Sequence, residues 1–256
     1  MVKPRPAKPT VKFIDEYCEI YKDLFPEVRS FEYFKYLHMG LISDIKRKTL
    51  PEIAKVVGLE NSQGLDYFIG QSPWSAKECR NRRLKLILAL LSGRDIVLII
   101  DETGDRKKGK TTDYVQRQYI GNLGKVENGI VAVTAYGVFK DMTFPLLSRV
   151  YKPQKKLKEG DEYKSKPQIA GEMIQELNRV GFKISLVLAD SEYGESEVNF
   201  IKILEEEKLS FVLAIRSNHG VWMPSEQKVR NNRWRAFERV FSTGKTEKRY
   251  IAVLSE

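Results

Sequence analysis

The sequence predicts an α/β protein in which an N-terminal helical region precedes a mixed β-sheet flanked by helices. Two observations predict this class. Residues 13–94 place apolar side chains at helical spacing. From residue 95 onwards, short runs of β-branched and other apolar residues alternate with amphipathic helical segments. We therefore expect two domains, a helical region at 1–94 and a sheet-containing domain at 95–256.

The helical region begins with a basic, proline-rich arm, residues 1–12, which we expect to be flexible. Five helical segments follow, bounded by caps, prolines or glycines: FIDEYCEIYKDLF, RSFEYFKYLHMGLISDI, TLPEIAKVVG, SQGLDYFIGQSPW and SAKECRNRRLKLILALLSG. Ser30 and Ser75 are predicted N-caps. Ala54 and Gly58 have the spacing of small residues in the turn of a helix-turn-helix unit, although a plain helical bundle fits equally well.

The sheet domain is predicted to have three successive strands and then two strands that alternate with helices. The predicted strands are DIVLII, GIVAVTAYGVFK, MTFPLLSRVY, KISLVLAD and SFVLAIRS. The helices are KPQIAGEMIQELNRVG and SEVNFIKILEEEKL. This β-β-β-α-β-α-β order is the layout of a ribonuclease H-like sheet. No strand is followed by a glycine-rich phosphate loop, which argues against a dinucleotide-binding fold.

The charge balance is basic, with 44 Lys and Arg against 34 Asp and Glu and a formal net charge of +10. Such a balance favours a polyanionic partner, nucleic acid first, although a basic protein without such a partner is the alternative. The two cysteines and two histidines are isolated and match no zinc-binding spacing. There is no secretory signal and no apolar stretch long enough to span a bilayer. We expect a cytoplasmic, nucleoid-associated protein with no membrane partner.

Two aspartates stand out, because Asp101 and Asp190 each follow a buried apolar strand. Ligands collect at the carboxyl ends of strands in open α/β sheets. Two neighbouring carboxylates repel each other and need a shared cation or proton. Oxygen ligands favour Mg²⁺ or Mn²⁺, and two such ions, roughly 3.5–4 Å apart, can hydrolyse a phosphodiester. The alternative is that both aspartates only cap the turns after their strands.

The sequence also resembles the DDE insertion-sequence transposases, the group of DDE superfamily endonucleases. The resemblance covers residues 30 to 220 and includes these blocks: GLISDIKRKTLPEIAKVVG, LDYFIGQSPW, IDETGDRKKGK, VQRQYIGNLGKVENGIVAVTAYG, KPQIAGEMIQEL and LADSEYG. It implies that Asp101 and Asp190 are the first and second catalytic, metal-binding aspartates. The implied cofactor is Mg²⁺ or Mn²⁺.

The resemblance implies a third acid, a Glu on a helix beyond a β-rich insertion. No part of the chain matches that block. Glu192 and Glu195 lie too close to Asp190 in sequence to take the place of this third acid. Residues 219–256 are similar to the start of the insertion. We therefore expect a transposase truncated at its C-terminus, either a pseudogene product or one piece of a split frame, with the third carboxylate beyond residue 256.

The resemblance also suggests which residues contact DNA. The candidates are the basic residues of three segments and the arginines of a basic, aromatic C-terminal patch: Lys107, Lys108, Lys110, Arg117, Lys155, Lys156, Arg230, Arg233 and Arg235. The lysine-rich segment 152–166 as a whole is a candidate DNA contact, and a solvated loop is the alternative. Tyr119 is expected to pack in the core, and Tyr193 and Gly194 to shape the turn after Asp190.

The predicted function is DNA transposition, in which the ends of an insertion sequence are cut and joined to target DNA. The implied partner is double-stranded DNA, and a homo-oligomer in the DNA complex is compatible with the sequence. A truncated chain is expected to be inactive in cleavage, so one alternative is a protein that only binds DNA. A general metal-dependent nuclease is the other. The sequence does not give the terminal repeats, the target site or the oligomeric state.

Overall fold

The computed structural model describes residues 5–109, 111–216, 234–240, 244 and 246–252. The chain forms two compact units, residues 1–214 and residues 215–256. In the first unit the change from helices to strands falls between residues 91 and 96, as expected from the sequence.

The helical region contains five α-helices: α1 (Lys12–Glu19), α2 (Val28–Ile42), α3 (Leu50–Val56), α4 (Gln63–Gly70) and α5 (Ala76–Leu91). The prediction of Ser75 as an N-cap is confirmed, because its side chain accepts a hydrogen bond from the amide of Glu78. The prediction for Ser30 is wrong. Helix α2 begins three residues earlier with Glu27 as its N-cap, and Ser30 is buried within the helix.

The N-terminal arm is not free over the residues that the structure describes. The carboxylate of Glu32 on α2 accepts two hydrogen bonds from the Arg5 guanidinium, at 2.7 and 2.8 Å, and one from the amide of Lys8 at 2.6 Å. Thr10 donates to Asp15 through both its amide and its hydroxyl. Residues 5–10 are therefore attached to the helical region, and the expectation of a flexible arm is wrong for this segment.

The first unit has a six-stranded mixed sheet made of β1 (Ile96–Arg106), β2 (Gln116–Ile120), β3 (Lys125–Phe139), β4 (Met142–Val150), β5 (Ile184–Ala189) and β6 (Phe211–Leu213). The strand order is β2-β3-β1-β5-β6, and β4 also pairs with β3. Strands β1, β3 and β4 are antiparallel neighbours, whereas β5 and β6 are parallel to β1. This arrangement confirms the predicted ribonuclease H-like sheet.

Strand β2 was not predicted. It pairs with the first part of β3, where the ladder runs from Gln116 opposite Gly129 to Ile120 opposite Lys125. Strand β1 is also longer than predicted and continues past Asp101 to Arg106, paired with β3 throughout. Together the three strands form an extension of the sheet beyond the position of Asp101.

Helices α6 (Lys166–Val180), α7 (Ser191–Gly194) and α8 (Lys202–Glu206) complete the first unit, and a π-helical turn (Glu197–Ile201) precedes α8. The main core lies between the sheet and the helices. It contains Leu98 and Ile100 of β1, Met173 and Leu177 of α6, and Leu84 of α5, all buried. Burial of this apolar surface stabilises the sheet and thereby fixes the ends of β1 and β5.

In its described residues the second unit has two antiparallel strands, β7 (Trp234–Val240) and β8 (Thr246–Ala252). Within the part of the chain that the structure describes, no helix is both long enough and apolar enough to cross a membrane.

Candidate active site

The structure places Asp101 and Asp190 side by side on neighbouring parallel strands. The β1–β5 ladder ends with Ile100 opposite Ala189, and each aspartate is the next residue of its chain segment. The apolar runs before them are buried in the core, so the strands cannot slide without exposing those side chains. Both aspartates are exposed. The sheet therefore presents two carboxylates together at one edge of the β1–β5 ladder.

Local hydrogen bonds orient both carboxylates. Oδ1 of Asp101 accepts from the amide of Glu102 at 2.7 Å. Oδ1 of Asp190 accepts from the amide of Glu192 at 3.0 Å, so Asp190 is the N-cap of α7. The turn-capping alternative is thus real for Asp190, but each of these bonds uses only one carboxylate oxygen.

The electrostatics of this pair favour a cation. Partial burial raises the pKa of Asp190, and the negative charge of Asp101 raises it further. Among the ion pairs formed by the described residues, none includes either aspartate. Two like charges that have no protein cation between them are a suitable place for a metal ion from solution.

The donor set fits a hard divalent cation. Mg²⁺ is commonly held by one or two carboxylates together with water and substrate phosphate, which matches two exposed aspartates. Within the described residues, no cluster of three or more His, Cys, Asp or Glu side chains has the arrangement of a metal site. The two neighbouring glutamates, Glu102 and Glu192, form ion pairs with Lys166.

Lys166, the first residue of α6, lies between these glutamates. Its Nζ is 2.5 Å from Oε2 of Glu102 and 2.9 Å from Oε1 of Glu192. The contact with Glu102 is therefore a close ion pair. The side chains of Lys166 and Glu102 are only 14% and 12% exposed. Burial works to lower the pKa of Lys166, but the two carboxylates outweigh burial and raise it.

Tyr193 and Gly194 are buried in the short helix α7 that Asp190 caps. Tyr193 is fully buried and packs against Phe200 with the two rings tilted and their centroids 5.4 Å apart. Its hydroxyl has no hydrogen-bond partner among the described residues. Burial and then the charges of Glu102 and its acidic neighbours raise the pKa of this phenol. Tyr193 therefore does more than shape a turn, because it is part of the main core.

Some of the cations predicted to contact DNA form ion pairs with acidic side chains, and others do not. Lys107 forms an ion pair with Asp105 at 2.6 Å. Lys108, Arg117, Lys155 and Lys156 are exposed, and the ion pairs of the described residues include none of them. These four side chains are thus available to phosphates.

The lysine-rich segment is more tightly structured than a solvated loop. Four of its six lysines form ion pairs with acids: Lys152 with Asp161, Lys158 with Asp113, Lys164 with Glu172 and Glu162, and Lys166 with Glu102 and Glu192. Only Lys155 and Lys156, in a 3₁₀ turn, are left without such a pair within the part of the chain described. Most lysines of this segment therefore have an acidic partner, and a DNA contact by the segment as a whole stays a prediction.

Some expectations fall on residues that the structure does not describe. Lys110, Arg230 and Arg233 lie outside the described residues. Arg235 lies in β7, but its side chain is not among those described. Tyr119 is described, and the expectation that it packs in the core is wrong because it is 53% exposed on β2.

Sequence reasoning missed the Lys166 ion pairs, although a signal was present. The segment Ser165–Gln168 forms a capping box, which makes Lys166 the first helical residue. A cation is unfavourable at a helix N-terminus, so a lysine there suggests an acidic partner. That partner could not be named from sequence because Glu102 and Glu192 come from distant segments.

A ribonuclease H-like sheet with two carboxylates at the end of its central parallel strands is an arrangement suited to an endonuclease that uses divalent metal ions. Comparison with known families identifies the particular one. The model of the DDE superfamily endonuclease family matches residues 23–241, and the chain belongs to that family.

Two known proteins are similar to the chain. A probable transposase for insertion sequence element IS701 from Microchaete diplosiphon is 62% identical over 251 residues. The match covers 98% of this chain and 66% of that relative, so the chain spans just under two thirds of its length. The solved Drosophila P element transposase strand transfer complex matches 78% of this chain and 47% of its own, at 11% identity and a TM-score of 0.28. At that score the likeness supports no structural conclusion.

Proposed function

We propose that the chain is the DNA-cleaving part of an insertion-sequence transposase that acts on double-stranded DNA, at the element ends and at the target. The observation that carries this proposal is the placement of Asp101 and Asp190 on neighbouring strands of a ribonuclease H-like sheet. Membership of the DDE superfamily endonuclease family and the similarity to a probable transposase support it.

Asp101 and Asp190 are proposed to be catalytic residues that hold Mg²⁺ or Mn²⁺. Each uses one oxygen for a local backbone hydrogen bond and has a second oxygen for a cation. A bound divalent ion supplies charge stabilisation at the attacking and leaving oxygens of a phosphodiester. The protein contributes the fixed position of the carboxylates, because the buried strands before them set their register.

The cations of the first unit are proposed to hold the DNA backbone. Lys108 and Arg117 lie on or next to the extension formed by β1, β2 and β3, and Lys155 and Lys156 lie before α6. Exposed cations bind phosphate and release counterions, which makes binding strong at low salt. A homo-oligomer on DNA and association with the nucleoid are part of the same proposal.

A second candidate is a protein that binds DNA without cutting it. One observation favours it. Among the described residues of the site, Asp101 and Asp190 are two carboxylates without an ion pair, whereas Glu102 and Glu192 both contact Lys166. Two metal ions need more carboxylate ligands than two aspartates supply.

The test is cleavage of DNA that carries the ends of the insertion sequence, with Mg²⁺ or Mn²⁺ present. Three proteins are compared: the chain, its Asp101→Ala variant and its Asp95→Ala variant. Asp95 is an exposed acid at the opposite end of β1 and serves as the matched control. Cleavage that is lost only in Asp101→Ala supports a nuclease. Binding with no cleavage by any of the three supports the second candidate. Cleavage by all three contradicts the assignment of Asp101.

A further inference from the structure

The backbone amides that orient the two aspartates belong to two glutamates. The amide of Glu102 donates to the carboxylate of Asp101 at 2.7 Å, and the amide of Glu192 donates to that of Asp190 at 3.0 Å. The direction of each carboxylate therefore depends on the backbone position of the glutamate that follows it. A contact that fixes both glutamates also fixes the geometry of the two aspartates.

Lys166 makes such a contact with both glutamates. Its ammonium lies 2.5 Å from a carboxylate oxygen of Glu102 and 2.9 Å from one of Glu192. Glu102 is in strand β1, whereas Glu192 is in α7, the short helix that follows β5. One side chain thus joins the two chain segments that carry the aspartates.

Lys166 contacts these segments from the core side of the sheet. Successive residues of a strand point to opposite faces, so Glu102 shares the face of the buried Leu98 and Ile100, and Asp101 lies on the other face. The side chains of Lys166 and Glu102 are accordingly both mostly buried. Lys166 therefore acts on Asp101 through the backbone of its neighbour and not by touching the carboxylate.

The position of Lys166 is itself fixed by the packing of α6. Ile169, Ala170 and Met173 of this helix are buried, and the capping box at Ser165 determines where the helix begins. A cation at a helix N-terminus is unfavourable, and a buried ammonium needs carboxylates to compensate it. The two glutamates meet both requirements, which makes the contact a defined feature of the fold.

We propose that Lys166 is a positioning residue for the metal site, which orients Asp101 and Asp190 by holding the two glutamates whose amides donate to them. This inference rests on the proposed function, since it takes both aspartates as metal ligands. Loss of a residue that holds metal ligands in place typically lowers metal affinity by roughly 10–100-fold. Loss of a positive charge near the site has the opposite effect, because it strengthens the attraction for a cation. The sign of the change in affinity therefore separates positioning from charge.

The test is Mn²⁺ binding to the full chain without DNA, measured by electron paramagnetic resonance. In Lys166→Met we expect the affinity to fall by roughly tenfold. Lys166→Arg keeps a cation that can contact both acids and should retain most of the affinity. The matched control is Lys164→Met, which removes a lysine paired with Glu162 and Glu172 and should leave the affinity unchanged. Unchanged or increased affinity in a folded Lys166→Met protein overturns the proposal.

Hydrogen exchange of the amide of residue 192, followed by nuclear magnetic resonance without metal, is the second measurement. This amide donates to Asp190, so it should lose protection in Lys166→Met and keep it in Lys166→Arg. Glu192→Ala removes only one of the two ion pairs and decides the matter if Lys166→Met does not fold. Loss of protection in this variant supports the proposal, and unchanged protection overturns it.

The two measurements also separate this inference from the proposed function. Asp190→Asn reports on the metal site alone, and Mn²⁺ affinity that survives this change contradicts that site. The exchange measurement uses no metal, so it tests the contact between Lys166 and Glu192 whether or not the aspartates bind an ion.

Discussion

Asp101 and Asp190 follow directly on the last paired residues of two parallel strands, since Ile100 lies opposite Ala189. The relationship depends on core packing rather than on contacts between the aspartates. Leu98 and Ile100 of β1 and Val187 of β5 are buried, so the core determines the register. Two repelling carboxylates are thus held together by apolar burial elsewhere, which is the arrangement expected of a site that binds a cation.

The exposed lysines near α6 yield a prediction about DNA binding. The double change Lys155→Ala and Lys156→Ala should weaken binding and reduce the slope of log affinity against log salt by about two, because each lysine contributes about one phosphate contact. The measurement is a salt titration of binding to duplex DNA, followed by fluorescence anisotropy.

The control for this titration removes two lysines of the same segment that already have acidic partners. Lys158 contacts Asp113 at 2.6 Å, and Lys164 contacts Glu172 at 2.6 Å. Changing both to Ala lowers the net charge equally but should alter the slope much less. Equal effects of the two double variants would show that net charge, not local contact, governs binding.

Gly194 permits a close backbone approach behind the site, and this predicts a loss of stability on substitution. A Cβ at this position would overlap the carbonyl oxygen of Ala214. Gly194→Ala should therefore lower the free energy of unfolding by about 1–3 kcal/mol, as overpacked cores do. Gly70→Ala is the matched control, because a Cβ there meets nothing within 4 Å. Both are measured by denaturant unfolding, and similar values for the two variants would contradict the close approach.

The N-terminal segment should be released by acid. The Arg5 guanidinium, and then the amide of Lys8, hold the pKa of Glu32 below its ordinary value of 4.5, against the opposing effect of burial. Because the folded pKa is lowered, this stabilisation is present above pH 4.5 and is lost as pH falls through the lower folded value.

Hydrogen exchange of residues 5–10 measures this release. The amide of Lys8, which donates to Glu32, should be protected at neutral pH and exchange freely in acid. Glu32→Gln should weaken the attachment at neutral pH by about 1–3 kcal/mol, because a charged acceptor is lost. Asp66→Asn is the control, because Asp66 is an exposed residue of α4. Protection that persists in Glu32→Gln would contradict the role given to this carboxylate.

The sequence predicted those parts of the fold and site that depend on local patterns. The strand-end positions of Asp101 and Asp190 followed from apolar runs that could be read directly. Strand β2 was missed because its residues, QRQYI, show no clear alternation of apolar and polar side chains. The segment forms a strand by pairing with β3, which is a tertiary contact. Tyr119 was misplaced for the same reason, since nothing local showed that β2 leaves it exposed.

Tertiary ion pairs were the features that local patterns could not supply. Lys166 and Arg5 were interpreted as part of a DNA-contacting loop and a flexible arm, because each lies in a basic, polar stretch. Their partners, Glu102 and Glu32, are 64 and 27 residues away along the chain, differences of 166 − 102 and 32 − 5. Charge alone indicated DNA, whereas the fold uses these two cations internally.

The central claim is that Asp101 and Asp190 together hold a divalent metal, and Mn²⁺ binding tests it most directly. Electron paramagnetic resonance measures free Mn²⁺ in solutions of the chain and of Asp101→Asn, Asp190→Asn and Asp95→Asn. Asp95 is exposed at the other end of β1, so its variant controls for loss of one negative charge. We predict that Asp101→Asn and Asp190→Asn each weaken binding by roughly tenfold or more, with Asp95→Asn unchanged. Binding that is equal in all four proteins would contradict the claim.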